Sequence, residues 1–215
     1  EGDKGDYAAC VLGLRDYVTP ANQFPTGATL GLGRRLALLD WARSGRRWIV
    51  EDDYDSEFRY DSRPLACMQG MDGLGRVIHV GTFSKSLCPG LRLAFVIVPE
   101  GLIDAFRMLR QWTDGHPPPI SQRVLVRFLE DGHYERHLRA MRVVYAERQQ
   151  ALVTAVDRFL AAHIEMAPVP GGLHCVGTLV DPSRKASDVA TLAAERGVEI
   201  LPLSVFSLRK PVRER

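Results

Sequence analysis

The chain has 215 residues, 46% of them hydrophobic and 25% charged, and a formal net charge of +2. That is an ordinary globular composition, long enough for one large domain or for one domain and part of another. No Lys/Arg-rich tract or tail argues for nucleic-acid binding by this segment, and the longest apolar run, Leu93 to Val98, is strand-sized and far short of a membrane span. Glu1-Gly2-Asp3-Lys4 carries no signal-peptide pattern. Cys10, Cys67, Cys88 and Cys175 lie far apart with no C-x-x-C pair, so reduced thiols in a cytoplasmic protein are expected in place of a disulfide framework or zinc site.

In chain order, Asp16 to Thr19 reads as the end of a short strand, and Pro20, Asn22, Pro25 and Gly27 mark a turn. Leu32, Leu36, Leu39 and Trp41 fall near helical spacing and predict a helix over 28–43, ended by Ser44-Gly45. Trp48-Ile49-Val50 is a buried strand type followed at once by acidic residues; Val77 to Val80 and Leu93 to Val98 are two more strands. Continuous apolar strands separated by helices predict an α/β fold with a mostly parallel sheet.

Beyond Pro99 the pattern turns helical. A helix is predicted from Leu102 to Trp112, and Pro117-Pro118-Pro119 precedes another at Ile120. Leu138, Met141, Tyr145, Leu152, Val156 and Phe159 form one face of a long helix, with Arg136, Arg139, Arg142 and Arg148 on its wet side. After the break at Pro168 to Gly172 come a strand (Leu173 to Val180), a helix (Ala186 to Arg196, with Ser187 or Asp188 near its cap) and a strand (Val198 to Leu203). The expected organisation is part of a large domain at 1–131, a connecting helix at 132–163 and a truncated α+β small domain at 164–215.

Three segments follow predicted strands, where open α/β sheets place their ligands. They are the stretch from Thr19 to Gly27, the acidic stretch from Glu51 to Glu57, and Gly81-Thr82-Phe83-Ser84-Lys85-Ser86, continuing to Pro89-Gly90-Leu91-Arg92. A pyridoxal 5'-phosphate (PLP) site needs an amine for the aldehyde, a carboxylate for the pyridine nitrogen, a hydroxyl for the ring oxygen, and an arginine with small hydroxyls for the phosphate. Lys85, Asp52, Tyr54 and Arg92, with Thr82 and Ser84 beside the lysine, supply one candidate for each.

The string T-F-S-K-S-L-C-P-G-L-R resembles the Schiff-base segment of class I (fold type I) PLP-dependent aminotransferases. That resemblance implies a three-layer, fold type I transferase-like domain. It makes Lys85 the lysine that holds PLP as an imine, Arg92, Thr82 and Ser84 the phosphate ligands, Asp52 the pyridinium aspartate and Tyr54 the ring-oxygen tyrosine. Asp53 is adjacent, one residue from the assigned position. E-D-D-Y-D-S-E-F-R-Y, T-P-A-N-Q-F-P-T-G and Gly171-Gly172-Leu173-His174 resemble the MocR-type branch of the GntR regulators more closely than stand-alone aminotransferases, which more often spell E-D-D-P-Y.

The resemblance runs from about Asp16 to Leu208 and implies a fragment of a longer, dimeric protein. Its DNA-binding domain and ring-stacking aromatic would lie before Glu1, and its substrate-carboxylate arginine beyond Arg215. Residues 1–15 carry no motif that places them. Two positions depart from the pattern. Phe24 stands where the enzymes carry a ring-oxygen asparagine, and Asn22 where the regulators usually show histidine. The expected function is a PLP-binding effector domain responding to a small amino compound. A genuine transaminase acting on an amino acid and a 2-oxo acid is the alternative, and a scaffold that has lost the site is a third class.

Blander readings stand beside these. Lys85 could be a surface lysine and Arg92 a structural ion-pair partner; Thr82 and Ser84 could satisfy loop backbone. Asp55 and Glu57 read as solvated or structural. Ser84 stands where a P-loop needs glycine, and Gly31-Leu32-Gly33 lacks the third glycine and preceding strand of a dinucleotide loop. His133 and His137 lack a third metal ligand, and His174 reads as a packed strand histidine.

Overall fold

Short apolar runs separated by turn residues build the first sheet. In the computed structural model, which describes residues 16–45, 47–60, 65–113, 115–116 and 118–207, β1 (Asp16–Val18), β2 (Ile49–Asp53) and β3 (Val77–Thr82) run parallel. β4 (Ala94–Ile97) joins antiparallel to β3, giving the order β1-β2-β3-β4. The sheet is mixed and mostly parallel, and the reversal at β4 has a simple cause. A parallel return needs a crossover of about a dozen residues or more, usually through a full helix. Here the link holds only a helical turn, α3 (Phe83–Ser86), and a 3-10 turn at Pro89–Leu91.

Between β1 and β2 lies α1 (Leu32–Ser44), which starts later than its leucine spacing predicts and buries a different face. Leu32 and Leu36 are exposed, whereas Arg35 and Ala42 are buried. Arg35 is tolerated there because its guanidinium donates to the carbonyls of Leu30, Ala66 and Pro20, each at 2.7 Å. The core under the sheet is Ala42, Ile49, Met68 and Val77, with Val18, Leu30, Leu38, Leu39, Trp41 and Met71 packed around it. Met68 belongs to α2 (Met68–Met71).

The chain then becomes helical as expected: α4 (Ile103–Thr113), α5 (Pro119–Glu130) and α6 (His133–Phe159). Proline opens α5, where a missing N–H costs nothing. α6 has 27 residues, about 40 Å of helix. It buries Leu138, Val153 and Val156 but leaves Leu152 and Phe159 exposed. Arg136, Arg139 and Arg148 are exposed. Arg142 instead turns inward and donates to the Glu57 carbonyl at 2.6 Å.

The last segment departs from the predicted β-α-β order. β5 (Ile164–Met166) and β6 (Gly177–Leu179) pair antiparallel, and α7 (Ala186–Ala194) follows. Residues 173–176, His174 included, are irregular, so the predicted strand shrinks to its second half. The strand predicted at Val198 to Leu203 does not form. Val198 and Leu201 are exposed, Pro202 has no N–H to donate, and a 3-10 turn begins at Leu203. Lys185 is the N-cap of α7 without a side-chain bond, and Ser187 and Asp188 lie inside the first turn, where an acidic residue suits the helix dipole.

Candidate functional site

The carboxyl ends of β2 and β3 lie side by side, with Asp52 in register with Val80 and Asp53 with Gly81. Asp52 therefore lies in the last part of β2, beside the end of β3 that leads into the turn carrying Lys85, at the strand ends where such sheets place their ligands. Asp52 is half-buried, and the Tyr17 hydroxyl on β1 donates to its Oδ2. Burial pushes the Asp52 carboxyl above its ordinary value, and the Tyr17 bond only partly opposes this. Tyr17 was not foreseen: an exposed strand tyrosine carries no sequence signal for such a role.

Tyr54 follows directly, and its hydroxyl donates to the Asn22 carbonyl at 2.8 Å. Burial raises the Tyr54 phenol well above its usual range, with Asp55 and Asp52 adding to the effect. Asp53 faces another way: its carboxylate accepts from the Ser56 hydroxyl at 2.6 Å and the Ser56 N–H at 3.2 Å, forming a local turn. Asp52 forms no such turn and takes its side-chain bond from Tyr17 instead.

Thr82 caps α3, its hydroxyl oxygen accepting the Ser84 N–H at 3.1 Å. Lys85 sits in this turn, exposed, with no ion pair or hydrogen bond among the described residues. Its turn is held from behind by α6. Tyr134 Oη lies 3.0 Å from Ser86 Oγ, and His137 Nε2 lies 3.0 Å from the Ser86 carbonyl. Arg92 is exposed and in the left-handed region at φ 51°. His133, the other half of the possible metal pair, lies 2.6 Å from Arg136 Nη2, so the two histidines serve separate contacts.

Asp55 is not solvated; it is buried, and burial pushes its carboxyl up to about 6 against the bonds from Asn22 and Leu173 and the charge of Lys85. Glu57 is half-buried, its carboxyl raised by burial, with Oε2 making no hydrogen bond among the described residues. Phe24 packs edge-on to His174 at 5.4 Å and Phe206 at 4.8 Å. It therefore supplies an apolar contact to residues around β6 and α7 in place of a polar one to a ligand. Gly172 has φ +87°, and a Cβ there would strike the Asn22 side chain, 2.7 Å from Cγ. Gly172→Ala should lower stability by about 2 kcal/mol or more, combining left-handed strain with the clash. Thermal melts check this, and an unchanged melting temperature would contradict the packing.

Glu51, Cys67 and His79 place metal-type donor atoms within 4.8 Å of one another. Both Glu51 oxygens already accept protein bonds, from Met68 N–H at 2.7 Å and Gln69 N–H at 2.9 Å, and His79 Nδ1 lies 3.1 Å from Oε2. Glu51 and His79 thus form a structural clasp onto the start of α2, while Cys67 Sγ accepts from the Gly70 N–H at 3.3 Å.

A sheet that delivers an aspartate, a tyrosine and a lysine to one edge, with an arginine just before the next strand, defines a fold type I PLP-dependent transferase-like protein. The family model "Aminotransferase class I and II" matches residues 19–214, and the chain belongs to that family. It is 40% identical over 200 residues to the probable rhizopine catabolism regulatory protein MocR of Rhizobium meliloti, covering 92% of this chain and 40% of that one. It is 38% identical over 192 residues to the HTH-type transcriptional regulator YhdI of Bacillus subtilis, covering 87% and 40%. Pyrococcus horikoshii kynurenine aminotransferase, solved in complex with PMP, superposes with a TM-score of 0.83 at 31% identity, over 92% of this chain and 49% of that one. The chain thus spans less than half the length of each.

Proposed function

We propose that this chain is the PLP-binding, aminotransferase-like effector part of a MocR/GntR-type transcriptional regulator. What supports the reading is that Asp52 and Tyr54 lie at the carboxyl end of β2 and Lys85 just after the carboxyl end of its neighbour β3, in a chain about 40% identical to such regulators. DNA would be bound through a domain outside this sequence, in a cytoplasmic homodimer. On this reading 1–131 would be part of the large domain, 132–163 the connecting helix and 164–215 a truncated small domain.

The donor set fits the cofactor. Asp52 is half-buried with its carboxyl raised and no cation partner among the described residues, so a cationic ring nitrogen opposite it would restore its charged form. Lys85 and Arg92 are exposed cations after β3 and before β4, with no ion pair among the described residues. Lys85 would hold the cofactor covalently, Tyr54 would donate to the ring oxygen, and Arg92, Thr82 and Ser84 would hold the phosphate. When bound, the cofactor supplies an electrophilic aldehyde carbon and an electron-accepting ring. The ligand sensed would be a small amino compound, which competes for the same carbon as Lys85.

Full-length protein titrated with PLP should show the absorbance of a lysine-bound cofactor, and amino compounds should change both that spectrum and DNA affinity. Ligand-insensitive DNA binding would overturn the regulator reading. The second reading, a working transaminase, rests on the 31% identity to the kynurenine aminotransferase; multiple-turnover amino transfer would establish it. Asp52→Asn, which keeps the shape and removes the charge, should weaken PLP binding about tenfold or more, since a full charge partner is worth over 1 kcal/mol in a half-buried site. Spectroscopic titration reads the change.

A further inference from the structure

One buried carboxylate oxygen joins two distant parts of the chain. Asp55 is 1% exposed, and its Oδ2 accepts from the Asn22 side-chain amide at 2.9 Å and from the Leu173 N–H at 3.2 Å. Oδ1 has no partner among the described residues. Asn22, 6% exposed, also carries the Tyr54 bond on its own carbonyl. A continuous path therefore runs from the Tyr54 hydroxyl through Asn22 and Asp55 to Leu173, which stands 118 residues beyond Asp55.

The segment reached by this path is already laid along residues 58–60. Gly172 N–H donates to the Phe58 carbonyl at 2.8 Å, Tyr60 N–H to the Pro170 carbonyl at 3.0 Å, and the Tyr60 hydroxyl to the Gly172 carbonyl at 2.7 Å. The approach is close enough that only glycine fits at 171 and 172; a Cβ at Gly171 would lie 2.7 Å from the Phe58 carbonyl oxygen.

A phenol has one proton to donate. Here Tyr54 gives it to Asn22. If Tyr54 donates instead to a cofactor oxygen, the buried Asn22 carbonyl loses its donor and Asn22 loses one of its tethers. Asn22 is also the residue that shares Asp55 with Leu173, so its loosening is felt at the far end of the path. We propose that Asp55 is a positioning residue that couples occupancy of the Tyr54 hydroxyl to the docking of residues 170–174. The coupling rests on the PLP reading above and gives that site a route to the β5–β6 sheet. Bond exchange at one end and a shift in local opening at the other are two faces of one linkage.

The test is hydrogen exchange on the full-length protein, with and without PLP, followed on a peptide spanning residues 165–176. PLP loading should speed exchange at Gly172 and Leu173 by about tenfold. Tyr54→Phe, which cannot donate to Asn22, should exchange fast before loading and change little after it. Asp55→Ala should do the same, and Asp55→Asn, which keeps the accepting oxygen, should restore the wild-type response. Should Asp55→Ala fail to fold, Tyr54→Phe still decides the matter. Unchanged or slower exchange in wild type whose spectrum shows bound PLP would overturn the coupling alone, as would a full response in Tyr54→Phe. No PLP uptake by wild type would bring down the cofactor reading and the coupling with it.

Discussion

Borohydride reduction of the PLP-loaded protein is expected to fix the cofactor on the peptide carrying Lys85, and Lys85→Ala is expected to abolish the adduct completely. The chain makes this a sharp experiment. It has four lysines, Lys4, Lys85, Lys185 and Lys210, and of the two among the described residues Lys85 follows the strand paired with that of Asp52, whereas Lys185 caps α7. Lys85 is exposed and makes no ion pair or hydrogen bond among the described residues, so its removal should change folding stability by only about 0.5 kcal/mol. A fold left intact with the adduct gone would assign the loss to chemistry. An adduct surviving in Lys85→Ala, or mapped to another lysine, would sink the site assignment.

The largest effect on stability should come from Glu51→Ala. It removes the acceptor of two backbone N–H groups and the partner of His79, all in a site where Glu51 is 1% exposed. Breaking a buried pair while leaving the other polar groups in place costs about 3–5 kcal/mol. Burial alone would push the Glu51 carboxyl up, but the His79 bond and the Met68 and Gln69 amides hold it below its ordinary value. The bond to Glu51 raises His79 against its burial. The signs set a window. The carboxylate's contribution is present above its unfolded pKa and is lost as pH falls through the lower folded one. The imidazolium's is present below its unfolded pKa and is lost as pH rises through the higher folded one. Urea unfolding of wild type and variant should differ most between those limits, and a difference under about 1 kcal/mol there would contradict the clasp.

Asp55 runs the opposite way. Its folded carboxyl is raised to about 6, so the native state binds the extra proton, and this residue's contribution weakens as pH rises through that value. Asp53, Lys85, Asn22 and Leu173 are the groups that act on it. Asp55→Asn should flatten that part of the stability profile, and urea titrations at pH values on either side of the transition would show whether it does.

The family and fold were legible because the signal is local: Lys85, Pro89, Gly90 and Arg92 stand at fixed spacing, and Asp52 lies near the end of a strand that opens with apolar residues. Strand existence was legible for the same reason, since Ile49 and Val77 announce burial by type. What escaped were groups defined by contacts across the chain. Nothing in E-D-D-Y-D-S-E distinguishes the half-buried Asp53, turned onto Ser56, from Asp55, which is buried against Leu173. Arg35 looks like a surface residue until three backbone carbonyls converge on it. The missing strand at 198–203 had the right composition, but β-propensity needs a neighbouring strand, and Pro202 offers no donor.

Arg92 holds a left-handed backbone that glycine would adopt at lower cost. Arg92→Gly should therefore relax the turn before β4, and a search for thermostable variants would favour it. The same change deletes the guanidinium assigned to the phosphate. This position is where selection for robustness and selection for ligand affinity pull in opposite directions.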